Sequence, residues 1–238
     1  MRKTGDEVIL MQGLKYRHEL KHVVTMADAV VISSRLSGLL ESDRHAGPDG
    51  KYQIRSLYFD TLEDKALYEK INGLPLREKF RIRYYNHDLS FIRLEKKIKH
   101  YGMTAKLGET LTETQTRQIL AGDYDFLKDS DQPLLREFFL GLHLERLVPR
   151  TVVDYWREAF FHPAGNVRIT IDSGIRGAIG YSHFLDADLP NADAMDDGYC
   201  ILEVKFDEFL PEFIQDVVQL NTCSPTAVSK YAACRVYV

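Results

Sequence analysis

The chain has 238 residues, 45% hydrophobic and 28% charged, with a formal net charge of −4 at pH 7. Its length suits one large domain or two small ones, and its composition is that of an ordinary globular protein. The slight acidity argues against a non-specific nucleic-acid binder, which carries a basic domain, so any basic site has to be local. Residues 1–13 read as a loosely held arm and 14–238 as the folded domain. A first strand is expected over 15–22. Thr25 with Asp28 resembles a capping box and opens a helix over 26–41, with Val30, Val31, Leu36, Leu39 and Leu40 as its apolar face. A loop over 45–50 precedes a strand over 52–59 and a helix over 61–71, closed by Asn72-Gly73. Strands over 78–86 and 90–100 form a hairpin through Asn86-His87-Asp88. The segment 101–110 has no clear strand pattern. Thr112 with Gln115 caps a helix over 113–120, and a second helix covers 133–143. Strands return over 147–161, 166–172 and 199–206, with a short one near 177–182. The acidic stretch 186–198 reads as a loop, and helices over 211–220 and 226–234 end the chain. Seven or eight strands with antiparallel hairpins and few βαβ units predict an α+β barrel. Neither a G-x-G-x-x-G nor a P-loop is present.

Cys200, Cys223 and Cys234 show no C-x-x-C spacing and read as small buried hydrophobes in a reducing compartment. Val8-Ile9-Leu10-Met11 is too short for a signal-peptide core, and no apolar run approaches the roughly 20 residues that span a bilayer. A soluble, cytoplasmic protein is expected.

Charge patterning is the informative feature. A strand sends residues i and i+2 to the same face. Six expected strand segments put their charges mostly on one face, around Arg17-Glu19-Lys21, Arg81-Arg83, Arg93-Glu95-Lys97-Lys99, Arg150-Asp154-Arg157, Arg168-Asp172 and Glu203-Lys205. If the sheet closes, these faces line the inside of a barrel, and a barrel lined with Arg and Lys suits a polyanion. Burying unpaired charge costs several kcal/mol, so the cations either face water or await an anion. Arg157 and Arg168 lie on a second expected hairpin, and an arginine fork grips phosphate at two points. Glu203 and Glu19 either neutralise adjacent lysines or hold a divalent ion that bridges to phosphate.

The series Arg17-x-Glu19-x-Lys21, Arg81-x-Arg83, Glu95-x-Lys97, Tyr155-x-Arg157-x-Ala159-Phe160, Arg168-x-x-x-Asp172, Leu202-Glu203-Val204-Lys205 and Ser229-Lys230-Tyr231 resembles the catalytic domain of the vacuolar transporter chaperone (VTC) polyphosphate polymerases, which are triphosphate tunnel metalloenzymes of the CYTH-like superfamily. The resemblance implies a closed eight-stranded antiparallel β-barrel, a triphosphate tunnel, with flanking helices. It implies a metal-dependent transfer of the γ-phosphate of ATP onto polyphosphate. Carried over by motif, Lys21, Arg81, Arg83, Lys97, Arg157 and Arg168 would be catalytic. Lys106, Tyr155, Lys205 and Lys230 would bind substrate, with Tyr155 near the nucleotide base. Glu203, together with Glu19, would hold Mn²⁺ or Mg²⁺. ATP or another triphosphate and inorganic polyphosphate would be the partners, with no nucleic acid. The larger eukaryotic members add a sensing domain and membrane helices. This chain shows neither, so the resemblance does not carry polymer export or that style of regulation over to it, and a membrane partner is left open. Related tunnel enzymes begin with Glu-x-Glu-x-Lys; Arg17 replaces the first acid, which favours polymerase over triphosphatase. A triphosphatase and a non-catalytic polyphosphate-binding module are the alternatives.

Overall fold

A computed structural model of the chain describes residues 14–218 and 226–237. The arm expected over 1–13, Cys223 and the end of the helix expected over 211–220 lie outside the described residues. In chain order, β1 (His18–Thr25), α1 (Met26–Ser37), β2 (Glu41–Ser42), β3 (Lys51–Asp60) and α2 (Lys65–Ile71) come first. β4 (Leu76–Tyr85), β5 (Asp88–His100) and β6 (Met103–Leu111) follow, then α3 (Glu113–Leu120), α4 (Asp125–Lys128) and α5 (Pro133–Leu144). β7 (Val148–His162), a 3₁₀ turn (Ala164–Asn166), β8 (Val167–Ile179), β9 (Ala192–Asp193), β10 (Tyr199–Phe206), α6 (Glu212–Val217) and α7 (Lys230–Tyr237) complete the chain.

Local chemistry explains most boundaries. Asn86 and His87 take φ of 48° and 57°, the paired left-handed residues that a two-residue hairpin needs, so β4 turns directly onto β5. Tyr101 and Gly102 do the same between β5 and β6. At α3, Gln115 N–H donates to Thr112 Oγ1 at 3.1 Å and Thr112 N–H donates to Gln115 Oε1 at 2.9 Å, a complete capping box. Pro133 opens α5 at a position whose N–H needs no partner. Gly165 takes φ 72° where a Cβ would sit 2.3 Å from the Phe209 carbonyl oxygen, so the turn between β7 and β8 requires glycine.

The strands form one antiparallel sheet in the order β1-β10-β8-β7-β3-β4-β5-β6, with β2 on β7 and β9 on β8. The expectation of a closed eight-stranded barrel needs correction: the ten-stranded sheet is not closed. Among the described residues its edge strands β1 and β6 share no ladder and pair at one bridge beside β1, where Arg17 and Thr104 exchange both backbone hydrogen bonds at 2.9 Å. Beyond that bridge a cavity separates Glu19, Leu20 and Lys21 from the β5–β6 turn at Tyr101 and Gly102, and pairing stops there. The architecture is an α+β fold built on a rolled, open sheet.

Three cores hold it. Phe80, Ile82, Tyr84 and Leu94 pack on the convex side against Ile119, Leu127 and Phe138 of α3, α4 and α5. Ala29, Ile32 and Leu36 of α1 and Ile214 of α6 pack with Ile169 and Leu202. Ile54, Tyr58, Val153, Tyr155 and Ile201 pack with Leu67 of α2 and with Tyr231 and Cys234 of α7. The α1 face differs from expectation: Val30, Val31 and Leu39 are exposed. Burial follows the 29, 32, 36 and 40 row, the helical spacing. β6 is a strand that the sequence pattern hides. Its Gly108 lies where the Arg93 guanidinium crosses, donating to the Gly108 carbonyl at 2.8 Å, and a Cβ there would sit 2.8 Å from Arg93 Nη2. Cys200 and Cys234 are buried free thiols, as expected of small hydrophobes. Burial pushes them up to about 11 and about 12.

Candidate functional site

Strand alternation builds the site. On β4, Phe80, Ile82 and Tyr84 enter the convex core, so Lys79, Arg81 and Arg83 project from the concave face. The register sets Lys79 opposite Lys97, Arg81 opposite Glu95 and Arg83 opposite Arg93. On the other side, Lys21 stands opposite Glu203, Glu19 opposite Lys205, and Arg157 opposite Asp172. Just before and at the start of α7, Ser229, Lys230 and Tyr231 complete the walls. The result is a chamber of about 60 Å³. It shares Lys21, Lys79, Lys97 and Ser229 with a vestibule of about 800 Å³.

The chamber walls carry eight cations, Lys21, Lys79, Arg81, Arg83, Lys97, Arg157, Lys205 and Lys230, against the single carboxylate Glu203. Glu19, Glu95 and Asp172 support them from close by. Arg157 forks onto Asp172 at 2.6 and 2.7 Å, and Lys230 reaches the same carboxylate at 2.5 Å. Arg81 and Lys106 both meet Glu95 at 2.6 Å. Lys97 meets Glu19 at 2.7 Å; Lys21 lies 3.0 Å from Glu19 and 3.3 Å from Glu203; Lys205 lies 3.0 Å from Glu203. Two cations have no carboxylate partner among the described residues. Arg83, 4% exposed, donates to Ser56 Oγ at 2.9 Å and to the Tyr155 hydroxyl at 3.0 Å. Lys79 lies over the Tyr58 and Tyr231 rings.

This crowding sets the protonation states. Burial alone would raise Glu203, but Lys205, Lys21, Lys230 and Lys97 outweigh it and hold the carboxyl well below the usual range. Glu19 is likewise held ionised, by Lys97 and Lys21 against burial. Burial and the Arg157 and Lys230 charges leave Asp172 at about 2, the cations prevailing. Burial lowers Lys205 to about 8 despite Glu203. Burial, with Lys97, Lys21 and Arg81, lowers Lys79 to about 7. Tyr58 is brought down to about 7: burial resists its ionisation, and Arg81, Lys79 and Arg83 win. Lys79, Lys97 and Lys205, all lowered by burial, and a phenol that is easy to ionise mark positive potential in excess around them, whereas Glu203 and Glu19 raise Lys21, and Asp172 raises Arg157, against burial.

Of the residues singled out by sequence, Lys21, Arg81, Arg83, Lys97, Tyr155, Arg157, Glu203, Lys205 and Lys230 are brought together in the chamber. Glu19 lines the vestibule beside Lys21. Lys106 is half-exposed behind Lys97, bound to Glu95. Arg168 shares a face with Asp172 but sits apart from the chamber, held by Asp43 at 2.7 Å and the Tyr52 hydroxyl at 2.9 Å. Tyr155 packs its ring under Arg157 and Lys230. Tyr58, Lys79 and Tyr231 line the chamber too, outside the expected set. Lys79 lies two residues before Arg81, so strand alternation alone could have placed it there. Tyr58 and Tyr231 carry no charge pattern and arrive through β3 and α7 packing. Arg17, in place of an acid, bonds Asp207 at 2.9 Å and the Asn166 carbonyl, outside the chamber.

Glu19 and Glu203 could hold a divalent ion: both are ionised and both lie against Lys21. No cluster of three His, Cys, Asp or Glu suited to a metal occurs among the described residues. Mg²⁺ commonly binds through one or two carboxylates plus substrate phosphates and water, so this donor set fits an ion whose shell is completed by phosphate.

No helix among the described residues is long and apolar enough to cross a membrane. No curated protein matches the chain. Among solved structures, a Bacillus halodurans protein named as a candidate adenylate cyclase is 16% identical, with a TM-score of 0.52 over 90% of this chain and 95% of that one. That likeness is one of fold. The PH1819 protein of Pyrococcus horikoshii is 15% identical, with a TM-score of 0.41 over 87% of this chain and 86% of its own. The Mimivirus capping enzyme triphosphatase is 11% identical, with a TM-score of 0.39 over 91% of this chain and 94% of that one. The VTC domain model matches residues 16–238, and the chain belongs to that family.

Proposed function

We propose that residues 14–238 form one catalytic unit, an ATP-dependent polyphosphate polymerase that works with Mn²⁺ or Mg²⁺. The observation that carries this reading is the chamber's excess of cations, with Arg83 and Lys79 lacking carboxylate partners among the described residues. A buried arginine with only neutral partners is costly until an anion completes it. Phosphoryl transfer asks the protein mainly for charge neutralisation and in-line positioning. Fixed cations supply both, and Arg81, Arg83 and Arg157 offer forks suited to phosphate oxygens. Glu95 and Asp172 orient Arg81 and Arg157 from behind. The terminal phosphate of a polymer is already an anionic nucleophile, so no protein base is needed. Bound at Glu203 and Glu19, a divalent ion would supply charge stabilisation on the phosphates.

Purified protein incubated with ATP and Mn²⁺ tests this, with products run on a polyphosphate-stained gel and free phosphate assayed. Long anionic polymer is the expected result. Free phosphate without polymer would assign a triphosphatase instead, with water as acceptor. Neither product, with binding retained, would leave a polyphosphate-binding module.

A further inference from the structure

The basic lining does not stop at the chamber. The vestibule adds Lys70, Arg77 and Lys99 to the three lysines it shares with the chamber. Two of the shared lysines are committed: Lys97 to Glu19, and Lys21 to Glu19 and Glu203. The third, Lys79, has no carboxylate partner among the described residues. Its ammonium lies 5.0 Å from the Tyr58 ring centroid and 5.3 Å from that of Tyr231. At the junction of the two cavities stands one cation without a carboxylate partner among the described residues, and beyond it Lys70, Arg77 and Lys99 outnumber the vestibule's carboxylates, Glu19 and Glu78.

We propose that Lys79 sets a preference for chain length: it binds the phosphate unit that passes from the chamber into the vestibule. A linear polyphosphate gains this contact, and a triphosphate seated in the chamber forgoes it. The proposal rests on the phosphate-binding reading of the chamber. Lysine suits the role, because a compact ammonium with three rotatable donors holds a sliding chain without fixing its register, whereas arginine forks fix it. The groups facing Lys79 are Tyr58 of β3, Tyr231 of α7, Lys97 of β5, Lys21 of β1 and Arg81 of its own strand. Burial and the surrounding cations bring Lys79 down to about 7. An arriving phosphate opposes that shift, so the long chain draws a proton onto Lys79 near neutral pH.

Calorimetry with tripolyphosphate and with long-chain polyphosphate, in buffers of different ionisation enthalpy, tests this on the wild type, Lys79→Met and Lys79→Arg. Lys79→Met should lower the ratio of long-chain to tripolyphosphate affinity about tenfold, equivalent to about 1.4 kcal/mol. Lys79→Arg should retain the ratio. Above pH 7 the wild type should take up more protons with the long chain than with tripolyphosphate, and Lys79→Arg should lose that difference. Measurements in a Tyr58→Phe background remove the phenol's share. A ratio unchanged in Lys79→Met, equal losses for both ligands, or equal proton uptake would overturn the proposal and leave the chamber reading standing. A wild type that binds neither ligand would overturn both.

Discussion

Two buried arginines on adjacent strands are treated in opposite ways. Arg55, on the convex side of β3, is 3% exposed and fully engaged: Asp154 accepts from its Nε at 2.8 Å and its Nη2 at 2.9 Å. The Tyr84 hydroxyl and the carbonyls of Phe184, Asp186 and Ala187 accept from its remaining N–H groups. Arg83, on the concave side of β4, is as deeply buried but meets a serine and a tyrosine. The first arrangement ties the 184–187 loop to the sheet and needs nothing more. The second has no carboxylate in contact among the described residues; Tyr155 beside it and Glu95 further off support its charge in place of a salt bridge. A buried arginine therefore reads as structural or as ligand-seeking according to its carboxylate, not its depth.

Removing the carboxylate from the structural pair is the largest test of this contrast. Asp154→Asn should cost about 3–5 kcal/mol in denaturant unfolding, the range for stranding one partner of a buried ion pair. Arg83→Met should leave the ligand-free protein as stable or more stable, because it removes a buried charge with no carboxylate in contact among the described residues. The same Arg83→Met protein should lose about 1.5–3 kcal/mol of tripolyphosphate affinity by calorimetry, the range for hydrogen bonds to charged groups. A destabilisation by Arg83→Met that matches Asp154→Asn would erase the distinction.

Acid titration sharpens the picture within the chamber. Asp172 is depressed from 3.8 to about 2 in the folded state. Its ionised form therefore stabilises the fold above pH 3.8, and that contribution, of order 2 kcal/mol, is lost as pH falls through about 2. Asp172→Asn should flatten the acid limb of stability followed by circular dichroism. The smallest effect is expected at Arg168. Its side chain is 39% exposed and its bond to Asp43 is a surface ion pair, so Arg168→Ala should change stability by less than about 1 kcal/mol.

Strand alternation made much of the chamber legible in advance. Arg81 and Arg83, Lys97, and Glu203 with Lys205 fall on concave faces because residues two apart share a side of a strand, and Phe80, Ile82, Tyr84 and Val204 between or beside them are apolar; Arg157 shares its face with Tyr155 and not with Asp154. Capping chemistry fixed α3 at Thr112 and Gln115 for an equally local reason. The VTC domain match over 16–238 agrees with the resemblance carried by those motifs. Position along the strand direction was not local. Arg168 and Asp172 share a face, yet the register places Asp172 on Arg157 while Arg168 reaches Asp43 and Tyr52.

By itself, then, the sequence determined which strands carry a charged face and which side chains share it, since both follow from the two-residue period of extended backbone. Only the tertiary structure decided whether the sheet closes, because that depends on two edge strands far apart in sequence pairing, and among the described residues they pair through the bridge of Arg17 and Thr104 alone. It also decided which cations are neutralised. Carboxylates such as Glu19, Glu95 and Asp172 reach their partners across strands whose register no single segment encodes. Lys79 and Arg83 stand apart because none of those carboxylates reaches them.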